Sequence, residues 1–172
     1  MDVLIKKIEL ENLDDIMEVE ISSYGAHHWA RSSFVSEINN DIAFYFCAIV
    51  EGKAVGYIGI WEIFEEAHIT TLAVLPEFRG KKIAQALLIR AFDDCREKKV
   101  KYITLEVRVS NKAAKNLYEK FGMKSLGVRK GYYQDNNEDA LIMWSENIFH
   151  DSFNELYNKN KKELSSINLI YE

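Results

Sequence analysis

Residues 72–88, LAVLPEFRGKKIAQALL, decide how this chain folds. Leu72 to Leu75 close an apolar run that begins at Ala67 and reads as a β-strand, stopped by Pro76. From Lys82 the period changes. Ile83, Leu87, Ala91 and Cys95 recur every four residues with Ala84, Leu88 and Phe92 beside them, which predicts an amphipathic helix over 82–98. Between strand and helix lies a short loop holding Arg79 and Gly80. Free backbone N–H groups and the positive end of the helix dipole converge there, and Arg79, Lys81 and Lys82 add charge, so the segment can receive an anion. A loop ahead of a helix is common, and alone it assigns no ligand.

Outward from this unit, the same reading predicts strands over 3–10, 43–50, 54–64, 101–109, 124–132 and 139–147. Helices are expected over 12–22, with Leu13, Ile16, Met17 and Ile21 on one side, over 32–39, burying Phe34, Val35 and Ile38, and over 111–121. Residues 24–31 form a loop rich in aromatic and histidine side chains. The order β-α-α-β-β-β-α-β-α-β-β is a mixed α/β chain without internal repeats. Residues 149–172 follow as an extension: Phe149, Phe153, Leu156 and Tyr157 are spaced for a short helix, and Ile167, Leu169, Ile170 and Tyr171 end the chain in an apolar cluster. This tail packs on its own domain or offers a homodimer contact.

Composition narrows the function. With 22 basic and 27 acidic side chains the net charge is −5, which speaks against general nucleic-acid binding and suits a cationic substrate. Cys47 and Cys95 lie far apart in apolar stretches and read as core residues rather than a disulfide or metal framework, and the four histidines have no ligand spacing, so no metal is assigned. The first ten residues are too charged for a signal peptide, and no apolar run approaches the ~20 residues of a membrane span, so no membrane partner is expected and the compartment is read as cytoplasmic.

Three motifs carry a resemblance. Residues 79–84, RGKKIA, resemble the pyrophosphate-binding motif of the GNAT superfamily of N-acetyltransferases, Q/R-x-x-G-x-G/A, with Lys82 standing where the family usually has its first glycine. Residues 105–111 (LEVRVSN) with 116–123 (NLYEKFGM) resemble the strand and helix that close the site in bacterial ribosomal-protein-alanine N-acetyltransferases. Residues 129–133 (RKGYY) with 138–143 (EDALIM) resemble the R-x-x-Y-Y…E-D-A pattern of N-terminal acetyltransferases. Together these cover roughly residues 67–146 in consistent order. The resemblance implies the GNAT fold over residues 1–148, a twisted mixed sheet of six to seven strands flanked by four helices and splayed between the strands near 67–75 and 101–109. It implies acetyl-coenzyme A as cosubstrate, bound by Leu72, Ala73 and Val74 along the strand, by Arg79, Gly80, Lys81, Lys82, Ile83, Ala84 and Gln85 in the loop and helix start, and by Asn111. Asn111 is a helix N-cap on any reading.

Amine acylation needs a base for the amine and an acid for the thiolate leaving group. Glu106 shares a strand face with Thr104 and Arg108, opposite Ile103, Leu105, Val107 and Val109; spacing alone makes it a solvent-facing glutamate, and the resemblance makes it the base. Tyr118 sits on the apolar face of its helix like an ordinary core tyrosine, twelve residues after Glu106; the resemblance makes it the acid. Tyr132 and Tyr133 suit a pleated surface, and the resemblance implies that they line a peptide groove opposite Tyr24 and Trp29. The expected reaction is direct transfer in a ternary complex to the N-terminal amine of a protein, a ribosomal protein first. The alternatives are a small amine such as a polyamine or antibiotic, and a non-catalytic acyl-coenzyme A binding module.

Overall fold

Eight strands join in one open mixed sheet in the computed structural model, which describes residues 1–172. In chain order the elements are β1 (Asp2–Lys7), α1 (Leu13–Tyr24), α2 (Arg31–Ile38), β2 (Ala43–Val50), β3 (Lys53–Ile63), β4 (Glu66–Val74), α3 (Ile83–Glu97), β5 (Tyr102–Arg108), α4 (Lys112–Lys120), β6 (Lys124–Tyr133), β7 (Glu138–Trp144), α5 (Asp151–Glu163) and β8 (Asn168–Tyr171). The sheet runs β6-β7-β5-β4-β3-β2-β1-β8. Only β4–β5 and β1–β8 are parallel. No helix is long and apolar enough to cross a membrane.

The strands covered on both faces are apolar almost throughout: residues 54–60 of β3 are all buried, and β2 is buried at Tyr45, Phe46, Cys47 and Ala48. Phe34 of α2 packs edge-on against Tyr45 and Tyr57, with ring centroids 6.3 and 5.5 Å away. Arg90 of α3 lies over the Phe46 ring on the opposite face. Successive strand residues point to opposite sides, so α1 and α2 cover one face while α3 and α5 cover the other. Phe92 joins α3 to Phe121 at the end of α4 and to Phe153 of α5, with centroids 5.0 and 5.3 Å apart.

The parallel pair β4–β5 is hydrogen-bonded only from Glu66↔Tyr102 to Ile69↔Leu105. Beyond that point β4 keeps β3 alone, and β5 keeps β7 alone. The cause is local. Gly59 pairs with Thr71 and Ile60 with Ile69, so Thr70 is an extra, unpaired residue on β4. Such a bulge bends its strand and ends regular pairing. Gly59 is required there: the Tyr45 ring lies across it, a Cβ would stand 2.4 Å from that ring, and the Tyr45 hydroxyl reaches Thr70 Oγ1 at 3.3 Å.

Sheet and helices exceed the expected six to seven strands and four helices. The added strand is β8, in which the apolar chain end pairs parallel with β1 and satisfies backbone groups that an edge strand would leave free. Asn168 N–H donates to Met1 O and Glu172 N–H to Ile5 O, each at 3.0 Å. Phe153, Tyr157 and Leu164 of the extension enter the core, while Phe149, Ile170 and Tyr171 stay exposed. Two other expectations fail. Ile21 is exposed and Val19 and Glu20 are buried in its place, and Val109 is exposed because β5 ends at Arg108.

Replacing Gly59 forces the Tyr45 ring off the bulge. Gly59→Ala is expected to lower folding stability by about 1–3 kcal/mol and to weaken acetyl-coenzyme A binding; urea denaturation and titration check both, and unchanged stability would contradict this packing.

Candidate active site

Where β4 and β5 part, a groove of about 590 Å³ opens between the end of β4, the start of α3 and the face of α4. Leu72, Ala73, Val74, Arg79, Gly80, Lys82, Ile83, Ala84 and Gln85 line it, opposite Ala113, Ala114, Leu117, Tyr118 and Lys120. Lys81 does not; its ammonium lies 5.0 Å from the Phe78 ring centroid. The groove is mostly apolar along the strand and ends at the first turn of α3, where helix N–H groups have no intrahelical partner. An extended apolar arm ending in phosphates fits that sequence of surfaces.

The loop is shaped by two left-handed residues, Gly80 at φ +73° and Lys82 at φ +66°. Glycine takes this conformation freely; a lysine there costs about 1–2 kcal/mol. Arg79 Nε donates to Val74 O at 3.0 Å and folds the loop back on the strand. Lys82 donates from Nζ to the carbonyl oxygen of Glu163 in α5. A hydrogen bond from a charged donor contributes about 1.5–3 kcal/mol, enough to offset the strain.

A second cavity of about 330 Å³ adjoins the first, lined by Tyr24, His27, Trp29, Thr71, Glu106, Arg108, Asn111 and Tyr133, among others. Leu72, Ala114 and Tyr118 line both cavities, so the two spaces meet at Tyr118. Tyr132 is not in the lining; it packs edge-on against Tyr133 at 5.1 Å and lies beside Arg129 on the rim. Asn111 Oδ1 accepts from Ala114 N–H at 3.1 Å and caps α4, an interaction of about 1 kcal/mol.

The wall formed by Tyr24 and Trp29 rests on one chain of hydrogen bonds. Tyr24 and Thr71 hydroxyls meet at 3.2 Å, Thr71 donates to Tyr57 at 3.3 Å, and Tyr57 donates to the carboxylate of Glu20. That carboxylate, 3% exposed as a residue, also accepts from Trp29 N–H at 2.8 Å. The loop carrying Trp29 is thus pinned to α1 by a buried charge. Trp29 further packs on Phe34, with centroids 5.7 Å apart.

Glu106 lies on the face of β5 that it shares with Thr104 and Arg108, while Ile103, Leu105 and Val107 are buried. Its Oε2 is 2.5 Å from His68 Nε2 and its Oε1 is 3.4 Å from Arg129 Nε. The His68 hydrogen bond, helped by the charges of His68 and Arg129 and opposed by partial burial, holds the Glu106 carboxyl below the usual carboxylate range. With a depressed pKa, the ionised form adds stability above the ordinary range, and this is lost as pH falls through the folded-state value. At neutral pH the group is a carboxylate that can accept a proton. Tyr118, 5% exposed, is the opposite case. Burial, followed by the neighbouring Tyr24 and Tyr133, pushes its hydroxyl far above the usual phenol value, so it carries a proton to give. Its hydroxyl makes no protein hydrogen bond. Cys47 and Cys95 are buried outside both cavities, and burial pushes the Cys47 thiol up to about 12.

His68, Arg129, Thr71, Tyr57 and Glu20 belong to this arrangement although sequence reasoning gave them no role. Glu20 carried a signal: it falls four residues after Ile16, on the buried side of α1. His68 carried none, because only the β4–β5 register, which sets His68 against Thr104, brings it to Glu106.

The sequence model of the Acetyltransferase (GNAT) family matches residues 11–123. A Bacillus subtilis (strain 168) protein provisionally named ribosomal protein bS18-alanine N-acetyltransferase is 43% identical over 141 residues, 81% of this chain and 93% of that one. An N-alpha-acetyltransferase of Saccharolobus solfataricus is 31% identical over 155 residues, 83% of this chain and 92% of that one. Among solved structures, the ribosomal-protein-alanine N-acetyltransferase of Escherichia coli superposes with a TM-score of 0.76 at 29% identity, covering 84% of this chain and 93% of that one. The splayed sheet, the groove beside it and these matches agree: the chain belongs to the GNAT family and is an acetyl-coenzyme A-dependent acyltransferase.

Proposed function

We propose that this enzyme acetylates the N-terminal α-amine of a protein in the cytoplasm, a ribosomal protein first, by direct transfer in a ternary complex. The observation that carries this reading is the meeting of two cavities at Tyr118, one suited to the cofactor arm, the other walled by Tyr24, Trp29 and Tyr133 with Glu106 among its lining. The names of the Bacillus subtilis and Saccharolobus solfataricus relatives support the choice of amine.

Acetyl-coenzyme A supplies the activated acetyl thioester. Leu72, Ala73 and Val74 would hold its arm, and the 79–85 loop with the α3 N-terminus its phosphates. Glu106 takes the proton of the incoming ammonium, directly or through one water, and His68 and Arg129 hold its carboxylate in place. Tyr118 gives its proton to the departing sulfur. Neither cysteine is a nucleophile: both thiols are buried away from the cavities and stay protonated. A peptide α-amine has a pKa near 8 against roughly 10.4 for lysine, so a modest base finds far more neutral nucleophile at an N-terminus.

Three measurements test this. Glu106→Gln should lower kcat by a factor of about 10² to 10⁴. In His68→Ala the carboxyl loses its main stabilising partner, so kcat at saturating substrates should fall off at higher pH on acidification than in wild type. An acid limb that stays put would remove His68 from the base. For the substrate, a peptide with a free N-terminal alanine and an internal lysine, assayed beside its N-blocked twin and a polyamine, should be acetylated at the α-amine at least about tenfold faster than the twin, ~1.4 kcal/mol in transition-state binding. Faster polyamine or lysine acetylation would overturn the N-terminal reading.

A further inference from the structure

Helix α5 lies beyond residues 11–123 and contributes nothing to the lining of either cavity, yet its C-terminal half is bonded to both walls of the cofactor groove. On the α3 side, Lys82 donates to the Glu163 carbonyl, and Gln85, 5% exposed, donates from Nε2 to Asn160 O at 2.8 Å. On the α4 side, Asn160, 2% exposed, donates from Nδ2 to Lys120 O at 3.0 Å, and the Lys120 ammonium meets the Glu163 carboxylate at 3.1 Å. The Asn160 amide also donates to Leu156 O at 2.8 Å, which fixes its side chain against its own helix. One buried asparagine therefore links the first turn of α3 to the last turn of α4.

We propose that α5 is a positioning element for acetyl-coenzyme A: it sets the spacing of the groove walls through Asn160 and anchors Lys82 in its left-handed conformation through the Glu163 carbonyl. The loop amides that face the groove are aimed by the backbone at residues 80–84, and Lys82 is the residue whose conformation would relax without an anchor. Its ammonium is committed to α5, so its part in binding is to hold the backbone in place. Asn160 and Glu163 act through other residues and touch no reacting atom. The inference rests on the reading that the 79–85 loop receives the phosphates.

The anchor and a direct phosphate contact are separable because glycine takes the left-handed conformation unaided. Lys82→Met keeps the aliphatic stem and loses the ammonium; Lys82→Gly loses both the ammonium and the need for it. Titration of the full chain with coenzyme A is expected to show affinity lower by about tenfold in Lys82→Met, and affinity at or above wild type in Lys82→Gly. Equal losses in both variants would mean that the ammonium itself holds phosphate, and no loss in Lys82→Met would mean that no anchor is needed; either overturns the anchor. Asn160→Ala is expected to raise KM for acetyl-coenzyme A while KM for the peptide stays near wild type, a split that loss of stability alone would not produce. An unmoved KM for acetyl-coenzyme A in the folded variant would overturn the strut. Should Asn160→Ala fail to fold, Asn160→Ser, whose hydroxyl can bond back to Leu156 O but does not reach α4, reads the strut by the same KM split, and the Lys82 pair decides the anchor, since residue 82 is only half-buried. Wild type that does not bind coenzyme A at all would overturn the cofactor site itself, and the positioning role with it.

Discussion

The extra residue on β4 at Thr70 is the constraint on which the site depends. A parallel pair kept in register along its whole length would close the sheet and leave no space between β4 and β5. The bulge bends β4 away after Ile69, leaving one edge of each strand unpaired over residues 70–74 and 106–108. Unpaired backbone polar groups are costly when buried away from water, so such an opening suits a ligand that carries amides of its own. Tyr45 and Gly59 hold the bulge from the neighbouring strands, which is why a close-packed core pair bears on the shape of the groove.

The same opening arranges the electrostatics. Because pairing persists only through Ile69 and Leu105, His68 stands in the last paired stretch, within reach of Glu106 just past it. The carboxylate is stabilised by hydrogen bonding and charge, while the Tyr118 hydroxyl is kept protonated by burial. Two titratable groups driven apart in this way can serve as acceptor and donor at one pH. The wall of Tyr24 and Trp29 is held differently, through the buried Glu20 carboxylate that clasps the Trp29 amide and the Tyr57 hydroxyl. Breaking one partner of such a buried charge is costly, which favours a rigid entrance over a mobile one.

Much of this was legible from residue order. The period-four pattern of α3, the alternation along β5 and the Asn111 cap follow from local rules; the structure adds that Glu106 lines the second cavity and Tyr118 lines both. What could not be read depends on pairing between distant segments. The His68–Glu106 contact needs the β4–β5 register, and the Lys82–Glu163 bond joins residues 81 positions apart. Tyr132 illustrates the limit from the other side: neighbouring tyrosines on a strand cannot both face one cavity, and only Tyr133 does. β8 was readable as apolar but not as a strand, since its partner, β1, stands at the other end of the chain.

Hydrogen–deuterium exchange of the full chain, with and without coenzyme A, tests the central claim most directly. The expected result is slower exchange at the amides of residues 72–74 and 80–85 when coenzyme A is present, with β6 at the far edge of the sheet unchanged, because bound ligand satisfies the free strand edge and the first turn of α3. Protection absent from both segments, or confined to another part of the sheet, would contradict a cofactor site built on the bulge of β4.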